Sequence, residues 1–306
     1  ENGILAWTVV RSMFGLAVAG PVLGLGLAAA GPGPAAAQSS LPAPSQVQYP
    51  GRLDARYSVS LGGVPIGKGA WVIEISESQY TAAASGATSG LLRVLSTGQG
   101  QGASRGYLVG GNTVPASFAA SVTTDKKTEE IRMTLASGEV KEFTIVPEVQ
   151  PDSERIPVTE AHRRGGVIDP MTGSLMRVPG NGNPLGPQAC QRTHQIFDGR
   201  MRYNLQFAYK RMEQVKADKG YEGPAVVCSV SFVPLAGYNP TRTAIKYLIA
   251  QHDMEIWLAP IGATRVLVPF RVSIPTPIGV GVMQATQFVA TTPAPHSATV
   301  TGPKTQ

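Results

Sequence analysis

Large apolar and polar side chains alternate along several stretches of the chain. The longest stretch places Met201, Tyr203, Leu205, Phe207 and Tyr209 at every second position, with polar side chains between most of them. Successive side chains of a β-strand point to opposite faces, so this pattern predicts a strand with one buried and one wet face. Similar alternation occurs at residues 57–61, 131–135, 228–232 and 266–272.

Glycine-containing turns separate these stretches. Ser137-Gly138 and Asp198-Gly199 each lie between two predicted strands, and a short loop ending in Gly favours a hairpin because Gly adopts positive φ. Roughly a dozen strands are more than a twisted open sheet carries without curling. The pattern therefore predicts an all-β fold, an antiparallel β barrel or half-barrel. The Gly98-x-Gly100-x-Gly102 segment is interpreted as a flexible loop.

One or two short helices accompany the predicted sheet. Asp169-Pro170 suits the N-cap and first position of a helix that continues to Arg177. Residues 241–251 carry apolar side chains at helical spacing and predict a second helix.

The first part of the chain has the features of a secretory signal peptide. Arg11 precedes an apolar run over residues 13–30, and small residues permit cleavage after Ala37. An uncleaved membrane anchor is the alternative, although Pro21 and many small residues make the run weakly apolar. No Cys follows this run, so we expect no lipid anchor. The predicted organisation is a signal peptide (1–37), a flexible leader (38–50), one β-barrel-like domain (51–290) and a disordered tail (291–306).

The predicted mature chain contains no other stretch of the roughly 20 apolar residues that span a membrane. We therefore expect a periplasmic protein without a transmembrane span. Its two cysteines, Cys190 and Cys228, are predicted to form a disulfide, as an even count suggests in an oxidising compartment. The Cys190–His194 spacing raises the alternative of a metal site, which would need a second ligand pair. We expect no metal and no cofactor.

The net charge of the chain excludes few classes of binding partner. The formal net charge is +6, which suits an anionic surface but equally serves solubility. No segment resembles a nucleic-acid-binding motif, so we expect no nucleic-acid partner. Charged residues make up only 15% of the chain, while 35 Gly and 25 Pro fit many short strands joined by turns.

Motifs that resemble catalytic or nucleotide sites lack the required context. Residues 62–69 approach a phosphate-binding loop, but Gly69 occupies the position of the magnesium-binding hydroxyl and a strand follows. We interpret this segment as a turn between the first two strands. The four histidines are not accompanied by a recognisable set of nucleophile and acid, so we expect no enzyme.

The alternation also supplies candidate binding residues. The concave face of the sheet is predicted to form a ligand cavity lined by Tyr57, Trp71, Phe118, Met133, Tyr203, Phe207 and Phe232. The alternative is that these side chains simply pack a closed core. Three cations, Arg200, Arg202 and Lys210, share the polar face of one strand and are candidates for contact with an anionic surface. An ordinary solvated strand face is the alternative for these cations.

Several motifs together resemble the domain of unknown function 3108 family of exported Gram-negative proteins. They are residues 57–67, the Asp169-Pro170-Met171-Thr172 motif, residues 197–203, and shorter motifs between residues 234 and 279. The resemblance covers roughly residues 52–290. It implies a periplasmic antiparallel β barrel or half-barrel and supplies no catalytic residues.

Two functional hypotheses follow. A curved sheet of this many strands encloses more space than its side chains fill, so the first hypothesis is a non-catalytic protein that binds a hydrophobic or lipid-like envelope molecule. The alternative is a structural role in envelope integrity, with docking to another protein or to peptidoglycan. A wide apolar cavity favours the first hypothesis, and a filled core with an exposed apolar patch favours the second.

Overall fold

The computed structural model describes residues 51–89, 98–124, 127–180 and 182–291. The predicted signal peptide and leader lie outside these ranges, as do residues 292–306 of the predicted tail. Within them, fifteen strands form one sheet. They are β1 (Gly51–Leu61), β2 (Val64–Ile75), β3 (Gln79–Thr88), β4 (Gly98–Val109), β5 (Asn112–Thr124), β6 (Lys127–Ala136), β7 (Glu139–Val146), β8 (Met176–Arg177), β9 (Arg192–Phe197), β10 (Arg202–Lys216), β11 (Lys219–Gly220), β12 (Glu222–Ala236), β13 (Glu255–Pro260), β14 (Val266–Thr276) and β15 (Gly279–Thr291).

Most of the strands follow one continuous path. Its order is β7-β6-β5-β4-β3-β2-β1-β15-β14-β13-β12-β10-β9, and every neighbouring pair is antiparallel. The two-residue strands β8 and β11 pair with β14 and β15, respectively. The end strands β7 and β9 are not paired with each other, so the sheet is not closed. The predicted antiparallel half-barrel of about a dozen strands is confirmed.

A short backbone segment, Gly166–Ile168, joins the two ends of the sheet, and we call it the seam strap. Its first two N–H groups donate to the carbonyl of Gly138 in the β6–β7 turn, each over 2.9 Å. Its last residue, Ile168, donates to the Gln195 carbonyl on β9 and accepts a hydrogen bond from the Phe197 N–H. The gap between the sheet ends is therefore bridged by backbone hydrogen bonds of one connecting segment.

Side chains reinforce this seam. The ring of Phe143 on β7 packs edge-on against the ring of Phe197 on β9, with centroids 5.7 Å apart. The β9–β10 turn also lies against β6, where a Cβ on Gly199 would stand only 2.8 Å from Ile131. These contacts bury apolar surface where the strands themselves do not pair.

Beyond the strap the chain enters the interior as residues 169–175, which we call the plug. The buried Asp169 carboxylate accepts hydrogen bonds from the N–H groups of Met171 and Thr172 and from the hydroxyls of Thr172 and Ser104. Burial raises the pKa of Asp169, whereas these hydrogen bonds oppose the rise. The plug is thereby attached to β4 across the interior.

The helix predicted after Asp169 is much shorter than expected. Only a 3-10 turn over Thr172–Ser174 forms, and its N-cap residue is Met171 rather than the predicted Asp169. Asp169 instead accepts the N–H groups of Met171 and Thr172 just before and at the start of this turn. The next residues form β8, where Met176 pairs with Leu267 on β14. Pairing with the sheet ends the turn, so the prediction of a helix reaching Arg177 was wrong.

The predicted flexible loop at Gly98–Gly102 was also wrong, because these residues form the start of β4. Gly98, Gly100 and Gly102 lie on its buried face. Further along the same face, a Cβ on Gly106 would stand 2.7 Å from the Tyr80 hydroxyl, which hydrogen-bonds Thr172 of the plug at 2.6 Å. Glycine at Gly106 thus leaves the space that Tyr80 needs to reach the plug.

The interpretation of residues 62–69 as a turn was largely wrong, because β2 begins at Val64 and only Gly62 and Gly63 form the turn. Three other local predictions agree with the structure in kind. Ser137 and Gly138 form a two-residue turn with φ of 55° and 71°. The hairpin at Asp198-Gly199 exists, but its turn extends over residues 198–201 because Asp198 accepts two backbone N–H groups beyond it. The predicted second helix is α1 (Thr243–Ala250).

The cysteine pair and the described helices complete this description. Cys190 and Cys228 are bonded, with their Cα atoms 5.5 Å apart. None of the helices in the described ranges is long and apolar enough to cross a membrane.

The seam strap yields a first prediction. In Gly138→Ala the new Cβ stands 2.8 Å from the Gly166 Cα, whereas in Gly63→Ala it meets nothing within 4 Å although φ is similarly positive. Both variants bear the strain of positive φ, about 1–2 kcal/mol. We expect Gly138→Ala to lower the free energy of unfolding by about 1–3 kcal/mol more than Gly63→Ala, measured by urea denaturation. Equal losses in the two variants would contradict a tight strap contact.

Candidate binding cavities

The inner face of β10, β12, β13 and β14 surrounds a cavity of about 90 Å³, which we call the apolar cavity. The plug and α1 complete its wall. Most of its lining side chains are aromatic or aliphatic, and they include Ile196, Tyr203, Leu205, Phe207, Val230, Phe232, Ile245, Leu248, Met254, Ile256, Val272 and Ile274. Period-two alternation explains this lining, because Leu205 pairs with Phe232 and Phe207 pairs with Val230 on the same face of the sheet.

The charged residue that borders the apolar cavity is already paired. Glu255 borders it, but its carboxylate accepts two hydrogen bonds of 2.9 Å from Arg211 and one of 2.6 Å from Lys210. These partners lower the pKa of Glu255 to about 2, with the Arg211 hydrogen bonds as the largest cause. The charge of Glu255 is therefore compensated by its own ion pairs.

His194 lies behind Phe207 in the same wall. Its ring centroid is 5.3 Å from that of Phe207, and its Nδ1 is 2.7 Å from the carbonyl oxygen of Gly173 in the plug. Since a carbonyl only accepts hydrogen bonds, Nδ1 carries the proton and donates it. Burial lowers the pKa of His194 to about 4, so the imidazole is neutral at neutral pH.

A second cavity of about 170 Å³ adjoins the first, and we call it the charged cavity. Apolar side chains of β5 and β6, such as Phe118 and Ile131, contribute to its lining. Ionisable and amide side chains also line it, namely Glu129, Arg155, Asp198, Arg200, Asn239 and Arg242. Pro170, Met201 and Ile245 border both cavities.

The predicted cavity residues are divided among different places. Tyr203, Phe207 and Phe232 line the apolar cavity, whereas Phe118 borders the charged cavity. Met133 borders a groove of about 500 Å³ over β2–β7, which Phe118 also borders.

Tyr57 and Trp71 are core residues with 3% and 2% of their surface exposed. The Tyr57 hydroxyl donates a 2.8 Å hydrogen bond to the Pro269 carbonyl oxygen. Both residues face inward, as predicted, but close packing surrounds them.

The three predicted anion-contacting cations do not form a common exposed face. Arg200 points to the charged cavity and lies 3.3 Å from a Glu129 carboxylate oxygen. Arg202 is 4% exposed and donates hydrogen bonds to the Tyr203 carbonyl and to two amide side chains. Lys210 pairs with Glu255 on the neighbouring part of the sheet.

Several aliphatic side chains line the apolar cavity in addition to the predicted aromatic ones. Leu205 and Val230 line the apolar cavity and occupy the expected face of their strands. Ile245 and Leu248 reach it from α1. The alternation on the strands and the helical spacing in α1 place these aliphatic residues on the same faces as the aromatic ones. Both kinds of side chain could therefore be predicted from the sequence as cavity residues.

Within the described ranges, no group of three or more His, Cys, Asp or Glu side chains is arranged to hold a metal ion.

Comparison with known proteins identifies a family. The model of the family described as "Protein of unknown function (DUF3108)" matches residues 56–286. The chain is also similar to the crystal structure of a beta-barrel-like protein of domain of unknown function DUF1849 from Brucella abortus, at 10% sequence identity and a TM-score of 0.43. That similarity covers 80% of this chain and 99% of the other. No curated protein matches the chain.

The neutral imidazole of His194 yields a second prediction. The unfolded side chain has its ordinary pKa of 6.5 and the folded one a pKa of about 4, so the unfolded state binds the proton first as pH falls. This stabilising contribution is complete above pH 6.5 and is lost as pH falls towards 4, by up to about 3 kcal/mol. We expect His194→Gln to remove this loss, measured by urea denaturation at pH 7 and pH 5.

The matched control is His252→Gln, because His252 is exposed. This control should keep the pH dependence of the wild type. An identical pH dependence in His194→Gln and wild type would contradict the assignment of a buried neutral imidazole.

Proposed function

We propose that this chain, which belongs to the DUF3108 family of proteins of unknown function, binds a hydrophobic or lipid-like envelope molecule in the apolar cavity. It does so without catalysis. The observation that carries the proposal is the space left among inward-facing apolar side chains such as Tyr203, Phe207 and Phe232. Protein interiors are otherwise packed as densely as organic crystals, so an alkyl group in this space would gain contacts that the lining side chains lack.

The size of the cavity limits what enters it. Its volume of about 90 Å³ is smaller than the ~150 Å³ of an engineered apolar cavity that admits benzene. It therefore accommodates the end of an alkyl chain rather than a whole lipid. Met201 and Met254 border the cavity, and unbranched thioether side chains adapt their conformation to a ligand more readily than branched ones. A longer segment would enter by rearrangement of these two residues.

The proposed compartment is the periplasm. The signal peptide predicted for residues 1–37 supports export. The bonded pair Cys190 and Cys228 also supports it, because disulfides persist in oxidising compartments.

A second candidate function is structural, with docking to another envelope protein or to peptidoglycan. Val64, Ile278 and Val280 are 48%, 54% and 44% exposed. They lie together because the Gly62 N–H donates to the Val280 carbonyl and so joins the β1–β2 and β14–β15 turns. An exposed apolar patch of this kind favours an apolar protein surface over a glycan.

Filling the apolar cavity tests the proposed function. We expect Val230→Phe to weaken binding of the neutral probe decan-1-ol, whose alkyl end fits the cavity, about tenfold, measured by isothermal titration calorimetry. The reason is that loss of the cavity removes the burial of about two methylene groups, roughly 1.6 kcal/mol. Native mass spectrometry of the chain exported to a bacterial periplasm then shows whether a lipid mass is bound and whether Val230→Phe removes it.

The matched control is Val109→Phe, which adds the same ring at an exposed position at the end of β4. It should bind the probe as the wild type does. Absence of probe binding and of any bound mass in the wild type would reject the proposal and leave the docking function as the candidate.

A further inference from the structure

The charged cavity has an excess of cationic groups. Three guanidinium groups (Arg155, Arg200 and Arg242) border it together with two carboxylates (Glu129 and Asp198). Gly237 brings Arg155 and Arg200 close together. The Arg155 Nη1 lies 3.5 Å from the Gly237 carbonyl oxygen, and the backbone of Gly237 packs on the backbone of Arg200.

Two of these guanidinium groups have unused hydrogen-bonding capacity. The Nε atoms of Arg155 and Arg200 are buried and donate no hydrogen bond within the described structure, although the Arg155 Nε lies 3.5 Å from an Asp152 carboxylate oxygen in an ion pair. Burial lowers the pKa of Arg200, as does the positive charge of Arg155, whereas Asp198 opposes this shift. A buried N–H group without a hydrogen-bond acceptor costs free energy, which an anionic ligand that accepts the hydrogen bond would offset.

The two carboxylates that line the charged cavity have other partners and accept no hydrogen bond from these Nε atoms. Glu129 lies between Lys127 and Arg200, at 3.1 Å and 3.3 Å. Asp198 accepts the N–H groups of Arg200 and Met201 and so shapes the β9–β10 turn. Both acids have roles in the fold, and the Nε–H groups of Arg155 and Arg200 remain for a ligand.

The charged cavity and the apolar cavity are separated by few side chains. Pro170, Met201 and Ile245 border both cavities. Met201 is a flexible thioether at the end of the β9–β10 turn, so its movement would connect the two spaces. One ligand with an alkyl part and an anionic part would then contact both cavities at once.

We propose that the ligand is an anionic amphiphile, with its alkyl chain in the apolar cavity and its carboxylate or phosphate bound by Arg155 and Arg200. This inference rests on the proposed function. It adds the chemical class of the ligand and assigns the charged cavity as the site of its acidic group.

Two probes with the same chain length but different charge test the inference. Decanoate and decan-1-ol are each titrated against the full chain by isothermal titration calorimetry. We expect decanoate to bind about tenfold more tightly than decan-1-ol, as a charge-assisted hydrogen bond implies. Arg155→Gln should abolish this preference and leave the affinity for decan-1-ol unchanged.

Control variants separate local from general effects. Arg132→Gln removes the same charge from an exposed position on β6 and should keep the preference. Arg242 is exposed, so Arg242→Gln should fold normally and reduce the preference even if Arg155→Gln does not fold.

The remaining outcomes would overturn the inference. Equal affinities of decanoate and decan-1-ol for the wild type would reject the acidic-group site while retaining the proposed function. Inorganic phosphate that displaces decanoate with the same affinity as decanoate itself would assign the arginines to a free anion. Failure of both decanoate and decan-1-ol to bind would reject the inference together with the proposed function.

Discussion

The backbone hydrogen bonds of the seam strap are the interaction on which the rest of the structure depends. The strap, Gly166–Ile168, supplies the hydrogen-bond partners that β9 and the β6–β7 turn do not find in each other. An open sheet would expose unpaired N–H and C=O groups at these edges, which invites association with other chains. The same segment continues directly into the plug, so closing the seam also positions Pro170 and Gly173 in the cavity wall. Closure and cavity formation are consequences of one connection.

The side chains that face the interior differ in polarity on the two sides of the plug. The wall formed by β10 and β12 presents aromatic and aliphatic side chains, and His194 remains neutral there because it is buried. Towards the β9–β10 turn, Arg200 faces the charged cavity beside Arg155. The plug lies between the apolar and the charged cavity, and its Asp169 carboxylate accepts four internal hydrogen bonds. The interior thus has an apolar part and a cationic part, with a narrow partition between them.

Much of the fold could be predicted from the alternation of apolar and polar residues. This pattern shows which face of a strand a side chain occupies, but not which other side chains pack against it. Tyr57 and Tyr203 have the same periodic signature, yet Tyr57 is packed in the core and Tyr203 borders a cavity. The alternation predicts Arg202 on the solvent-facing side of β10, whereas in the structure it is buried and donates a hydrogen bond to Gln195 of β9. The position of Gln195 is set by the register between β9 and β10, which the alternation does not reveal. The glycines of β4 have no apolar signal at all. The seam strap has no periodicity, so its role emerges only when the sheet ends meet.

The disulfide is a further long-range contact on which the apolar cavity depends. Cys228 lies opposite Tyr209 of β10 and next to Val230 in the alternation, while Cys190 lies just before β9. Since β10 runs between β9 and β12, the bond ties together the two strands on either side of it. β9 is otherwise held by β10 along one edge and by the seam strap at its end. Closing this loop removes conformations from the unfolded chain, by about 4 kcal/mol in the chain-entropy account. The wall formed by Phe207 and His194 therefore depends on the bonded cysteine pair, and so does the space that those side chains enclose.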